Sequence, residues 1–283
     1  MNKKEPLDDL VRHVDQDRWL TSRFAPGPAR KRLTALYAFN YEVARIGETS
    51  SDANLGAIRL KFWADAIGAI YDGGAPPDHP VIAPLTDAIR ECALPRAPFD
   101  ALIAAREKDL EPAPFDTWTA FDDYLDATSA GLIGLAARIC APGLKIDPSL
   151  ENFIRAAGRA WGGAGLVRAL NHWRAGGRTF FPRRLRESLG VNEAMLYSNQ
   201  QLDHAAASAA RAVLDHAAGA LRDVQRYSPA VPKEIFPAVG YVTLTRAYIR
   251  AASAEPGIVR DLFKTSLVAR QAKLVSAAAT GSL

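Results

Sequence analysis

The sequence predicts an all-α fold, on three observations. Apolar residues recur at intervals of three and four in nearly every segment, alternating strand patterns are scarce, and most of the eighteen prolines stand between such segments. A chain of 283 residues that is 48% hydrophobic and 23% charged can bury one large core. The expected organisation is a single helical domain over residues 1–283, with roughly the first 18 and last 25 residues peripheral to it.

The elements follow in order. Asp17 to Phe24 reads as a short helix that Pro26-Gly27-Pro28 interrupts, and a long helix runs from about Ala29 to Glu48 with Leu33, Leu36, Tyr37 and Val43 on its apolar face. After the Ser50-Ser51-Asp52 turn, a helix from about Asn54 to Tyr71 ends at Gly73-Gly74. Helices are expected from about Val81 to Cys92, Phe99 to Leu110 and Trp118 through Ile139, separated by LPRAP, EPAPFD and APGLKIDP. Ser149 to Trp173 comes next, then a short helix near Arg183 to Leu189, Ala-rich Gln201 to Arg226, Phe236 to Ala252, and a last helix from about Gly257 to Ser276. Small side chains let helix backbones approach, so the Ala-rich segments predict close packing in a bundle. No internal repeat is visible.

A net charge of +4 is compatible with an acidic partner, a membrane surface or an anionic ligand and selects none of them; no nucleic-acid partner is expected. Cys92 and Cys140 stand far apart and outside any metal-ligand spacing, which argues against a disulfide framework and a zinc site. His79 and His172 likewise have no second ligand at metal spacing. The charged start has no apolar signal region, and no run of about 18 apolar residues occurs. A cytoplasmic location is expected, with any membrane contact peripheral to the inner membrane.

Gly158 to Pro182 carries the most information. As a helix it aligns Gly162, Gly165, Ala169 and Trp173 on one stripe that holds no carboxylate. It then breaks at Ala175-Gly176-Gly177 and resumes as Arg178-Thr179-Phe180-Phe181-Pro182. This pattern of helix, glycine break and G-R-aromatic-aromatic-P resembles the squalene/phytoene synthase family, as does the ALYAF opening at Ala35 to Phe39. The resemblance implies an isoprenoid-synthase-type bundle around a central cavity. In active members, two aspartate motifs hold magnesium against a prenyl diphosphate; the corresponding positions here are Ala44, Glu48, Ala169 and Trp173. One carboxylate cannot hold a cluster that screens a diphosphate.

Three further segments, AFNYEVARI, GAIRLKFWADAIGAIYDG and HPVIAPL, are similar in order and spacing to the branch containing a mitochondrial complex I assembly factor, which also lacks the aspartate motifs. The resemblance extends more weakly through TSAGLIGLAARIC and GRTFFP to about Ala252. It implies a non-catalytic factor assisting assembly of a respiratory NADH dehydrogenase, with a complex I subunit or a membrane surface as partner and no cofactor or catalytic residue assigned. The alternatives are a magnesium-dependent head-to-head prenyltransferase, for which Asp65, Asp122 and Asp123 are the carboxylates that would have to re-enter the cavity, and a carrier of an isoprenoid diphosphate or lipid.

Phe24, Arg32, Tyr37, Arg168 and Arg178 match positions that line or flank the cavity in active relatives, and Arg45 stands within the first lost motif; these six are the candidate ligand-binding residues. Each has a structural alternative, core packing for the aromatics and surface or interhelical ion pairs for the arginines. Arg59, Lys61, Phe62 and Trp63 form an amphipathic turn that suits either a core aromatic with exposed basic neighbours or a contact surface. The run Arg183-Arg184-Leu185-Arg186 has the same ambiguity.

Overall fold

Side-chain caps set where many of the helices begin. In the computed structural model, which describes residues 6–50, 52–191, 204–254 and 266–283, Asp15, Asp52, Thr117, Asp147 and Ser266 each accept a hydrogen bond from a backbone amide three residues on. The helices in order are α1 (Pro6–Val14), α2 (Gln16–Ser22), α3 (Gly27–Ala44), α4 (Ile46–Thr49), α5 (Ala53–Asp72), α6 (Ile82–Glu91), α7 (Ala97–Ala105) and α8 (Trp118–Leu125). There follow α9 (Gly131–Cys140), α10 (Pro148–Arg168), α11 (Leu170–Ala175), α12 (Arg183–Ser188), α13 (His204–Tyr227), α14 (Phe236–Val239), α15 (Thr245–Ala254) and α16 (Leu267–Thr280). No strand occurs among the described residues.

The expected all-α class therefore holds, and most helices fall where the periodicity placed them. The differences are local and have physical causes. The expected helix 29–48 breaks at Arg45, because α4 must bring Gly47 against the 3-10 turn Arg106–Leu110; a side chain at Gly47 would meet the Asp109 Cβ at 2.7 Å. The expected helix 149–173 breaks at Ala169, and α11 redirects Trp173 onto Phe180, ring centroids 5.9 Å apart. Phe236 to Ala252 is interrupted by a 3-10 segment, Gly240–Leu244. Pro6–Val14 forms a helix that the reading above did not place. The starts expected at Gln201 and Gly257 lie outside the described residues.

α10 is the central helix, packed most extensively against α13 and against a π-turn, Asp126–Ala130, that joins α8 to α9 in one continuous rod. The close approach to the π-turn depends on Gly158, where a Cβ would lie 2.5 Å from the Ala130 nitrogen. After α11 the chain turns at Gly177, whose φ of 66° suits glycine, and delivers Phe180 and Phe181 to the interior.

Buried polar groups tie the ends of the chain together. Asp17, 4% exposed, accepts hydrogen bonds from the Tyr248 hydroxyl at 2.5 Å and from the Arg270 guanidinium at 2.7 Å, so α16 is fastened to α2. On the other side of α10, Arg159 donates to Asp122 at 3.0 Å and to both oxygens of Asp126, while His216 lies 2.7 Å from Asp122 and stacks on Trp118. Asp122 is thus taken up in an interhelical network.

Candidate functional site

Residues flanking the two helix breaks, Ala44 and Glu48 on one side and Ala169 on the other, line a cavity of about 270 Å³, just below the roughly 300–1,000 Å³ usual for ligand pockets. Its walls come from the start of α2, the C-terminal ends of α3 and α10, the 3-10 turn at Arg106–Leu110, the π-turn and α11. The π-turn supplies Thr128 and Ser129. Gly162 and Gly165 act oppositely: a side chain at Gly162 would strike Ser129 and Leu125, whereas nothing lies within 4 Å of one at Gly165, which keeps the cavity open.

The charges on these walls are largely matched within the protein. Arg18 donates to Asp15 at 2.6 Å and lies over the Tyr241 ring at 4.9 Å; burial works against its charge, but Asp15 and Tyr241 outweigh it and the guanidinium stays protonated. Arg106 donates to Asp109 at 3.1 Å and to the Tyr124 oxygen at 2.8 Å, and the Tyr124 hydroxyl donates to Asp109 at 2.7 Å. Burial pushes the Tyr124 phenol well above its ordinary value, so that proton stays in place. Arg178 donates to two backbone carbonyls, Gly47 and Asp109, each at 2.5 Å, and sits over the Trp173 ring at 5.7 Å. Arg168, at the mouth, is 4.0 Å from Asp17 and over Trp161 at 5.8 Å.

Ala44, Glu48, Ala169 and Trp173 all line this one cavity. Glu48 is exposed at its rim, and the buried Trp173 ring packs between Phe180 and Arg178. The residues present do not fit a magnesium cluster. A hard cation that prefers near-octahedral oxygen ligands would find one unpaired carboxylate, since Asp15 and Asp109 already hold Arg18 and Arg106. Among the described residues no group of three or more His, Cys, Asp or Glu side chains is placed to hold a metal ion. Nor do the other carboxylates return: Asp65 is exposed and paired with Lys61, Asp122 is bound to Arg159 and His216, and Asp123 is exposed.

Of the six candidate ligand-binding residues, the structure brings Arg168 and Arg178 to the cavity. Arg45 lies in a neighbouring surface groove with Glu42 and Arg59, separated from the cavity by α4. Arg32 pairs with Glu91 away from it. Tyr37 is fully buried in the core, and its hydroxyl has no hydrogen-bond partner among the described residues. Phe24 is 40% exposed and packs edge-on against Phe236. In the amphipathic turn Trp63 is core, stacked edge-on with Phe39, while Phe62 and Ile58 are exposed. Arg183 spends its charge on Asp116 and Glu187.

Sequence reasoning missed Asp15, Arg18, Arg106, Asp109 and Tyr124. The available signal was an acid and an arginine three apart, at 15/18 and again at 106/109, which on a helical turn makes a local pair.

A helical bundle with a cavity lined from two helix breaks is the arrangement that the resemblance to isoprenoid synthases implies. A dehydrosqualene synthase has a similar fold, with a TM-score of 0.80 over 97% of this chain and 94% of that one at 14% identity. The squalene synthase of Alicyclobacillus acidocaldarius superimposes with a TM-score of 0.73 over 88% of this chain and 92% of its own at 21% identity. The squalene/phytoene synthase family model matches residues 11–271, and the chain belongs to that family. Curated relatives include complex I assembly factor 6 from Bos taurus, 26% identical over 92% of this chain and 75% of that protein. The Homo sapiens factor is 27% identical over 81% and 68%. Presqualene diphosphate synthase from Rhodopseudomonas palustris is 26% identical over 60% and 59%.

Proposed function

We propose that the chain is a non-catalytic member of its family that assists assembly of a respiratory complex I-type NADH dehydrogenase, working from the cytoplasmic face of the inner membrane as a peripheral protein. One observation carries the non-catalytic part: the four positions that correspond to the family's metal carboxylates line a single cavity, and three of them are Ala44, Ala169 and Trp173. Ionising a prenyl diphosphate requires its charge to be screened as the carbon–oxygen bond breaks, and arginines already committed to protein acceptors cannot supply that. The similarity to relatives named as complex I assembly factors supports the rest. No described helix is long and apolar enough to cross a membrane, so contact with the bilayer would be at its surface.

A second reading, prenyl transfer, is favoured by the similarity to a presqualene diphosphate synthase and by the open space at Gly165. Titration calorimetry with farnesyl and geranylgeranyl diphosphate, with and without magnesium, followed by product analysis, separates the two. The non-catalytic reading expects no released pyrophosphate, and binding that is weak or independent of magnesium. Magnesium-dependent binding with turnover would overturn it. Magnesium-independent binding without product would make the protein a carrier. Complex I content in a deletion strain tests the assembly role directly; an unchanged content would remove it.

A further inference from the structure

Away from the central cavity, α13 and α15 leave a cleft of about 250 Å³ between them. α13 contributes Ala218, Leu221, Arg222 and Gln225, and α15 contributes Arg246, Ile249 and Arg250, each set a stripe at spacings of three and four. The two stripes put three guanidinium groups around an apolar floor of Leu221 and Ile249, and no carboxylate among the described residues lines the cleft. Asp223, next to Arg222 in sequence, is not among the lining residues.

Several arginines elsewhere on the surface are held by carboxylates. Arg96 holds Asp72 and Asp100, Arg155 holds Glu151 and Asp126, and Arg183 holds Asp116 and Glu187. Arg222, Arg246 and Arg250 are exposed, and none has an ion-pair partner among the described residues. Like charges one helical turn apart, as at 246 and 250, repel. Bringing an anion between them relieves the repulsion, and guanidinium forks match the oxygens of phosphate and carboxylate groups. The half-buried floor asks for something apolar beside the phosphate. Both walls are helices, whose backbone amides are already used, so an extended acidic peptide would find no main-chain partners there.

We propose that the α13–α15 cleft binds the phosphate headgroup of an anionic phospholipid, with the start of an acyl chain against Leu221 and Ile249, and that this is where the protein meets the bilayer surface. The inference deepens the peripheral-membrane part of the proposed function and is independent of the complex I part. Purified protein is sedimented with vesicles of phosphatidylcholine and phosphatidylglycerol in equal parts, and with phosphatidylcholine alone. Wild type is expected to partition to the mixed vesicles only. Replacing Arg222→Gln, Arg246→Gln and Arg250→Gln together should weaken partitioning on the order of a hundredfold, since each basic residue near an anionic surface counts for about 1 kcal/mol. Arg90→Gln, Lys145→Gln and Lys233→Gln, three exposed basic residues elsewhere, remove the same charge and should leave most of the binding. Ile249→Ser, with all arginines kept, should lower it severalfold. Melting curves establish that each variant is folded.

Equal losses in the two triple variants would overturn the cleft assignment while leaving membrane association standing. Absence of vesicle binding by wild type would overturn both, whatever the outcome for complex I. Displacement from vesicles by inorganic pyrophosphate, or an unaffected Ile249→Ser variant, would show a site for a soluble anion and overturn the lipid assignment.

Discussion

Gly158 and Gly165 lie two helical turns apart on α10, and substituting each by alanine should have opposite effects. A Cβ at Gly158 would sit 2.5 Å from the nitrogen and 2.6 Å from the Cα of Ala130, within the π-turn. These are backbone atoms of a buried segment, so either α10 or the α8–α9 rod must shift, and such overpacking costs about 1–3 kcal/mol. The better helix propensity of alanine returns at most about 1 kcal/mol. At Gly165 nothing lies within 4 Å, so only the propensity term acts and Gly165→Ala should gain about 0.4–1 kcal/mol. Urea titrations and thermal melts of both variants measure the difference directly. Gly158→Ala is expected to melt a few degrees lower and Gly165→Ala at or above the parent temperature. A Gly158→Ala variant as stable as the parent would refute the close α10 packing, and with it the placement of Thr128 and Ser129 on the cavity wall.

Three further predictions concern buried groups. Tyr248→Phe removes the hydroxyl that donates to Asp17 at 2.5 Å and should cost about 1.5–3 kcal/mol, read from the urea midpoint; a loss below a few tenths would mean that Arg270 alone satisfies the carboxylate. Burial raises the phenols of Tyr37, Tyr124, Tyr241 and Tyr248 above the ordinary value of about 10, and pushes Tyr71 up to about 12. These tyrosines ionise first in the unfolded chain, so their contribution is complete below about pH 10 and is lost as pH rises toward the folded values. The urea midpoint should therefore fall steeply above pH 10, and a flat profile there would contradict the burial. The Cys140 thiol is pushed up to about 12 by burial and Cys92 is also raised, so neither should react with a disulfide reagent at neutral pH until the protein is unfolded. Rapid labelling of the native protein would place a thiol at the surface.

The helices were legible because their periodicity and punctuation are local. Asp52 before α5 and Gly73 after it, or Asp147 before α10, announce themselves through side chains that cap the adjacent backbone. The breaks at Arg45 and Ala169 were not, because neither is marked by proline and each is imposed by a distant partner, Gly47 against Asp109 and Trp173 against Phe180. The π-turn at Asp126–Ala130 is silent for a similar reason: one extra residue in a turn barely disturbs an apolar pattern. Among the site residues, Arg168 and Arg178 could be placed by family resemblance. What they touch could not, since the acceptors of Arg178 are main-chain carbonyls, which carry no residue signature. Arg32 shows the converse, a position that matches the family and a side chain drawn off by Glu91, 59 residues on.

The Asp17 node has a consequence for how the protein is made. Its strongest partners, Tyr248 and Arg270, stand 231 and 253 residues further along the chain. During synthesis from the N-terminus, α2 leaves the ribosome long before either exists, and the carboxylate that will be interior must stay hydrated, keeping α2 from settling. The contacts of α2 with Tyr248 and Arg270 can form only after α16 has emerged, a high-contact-order step. A chain that stops before Arg270 therefore leaves the Asp17 carboxylate without its guanidinium partner from α16.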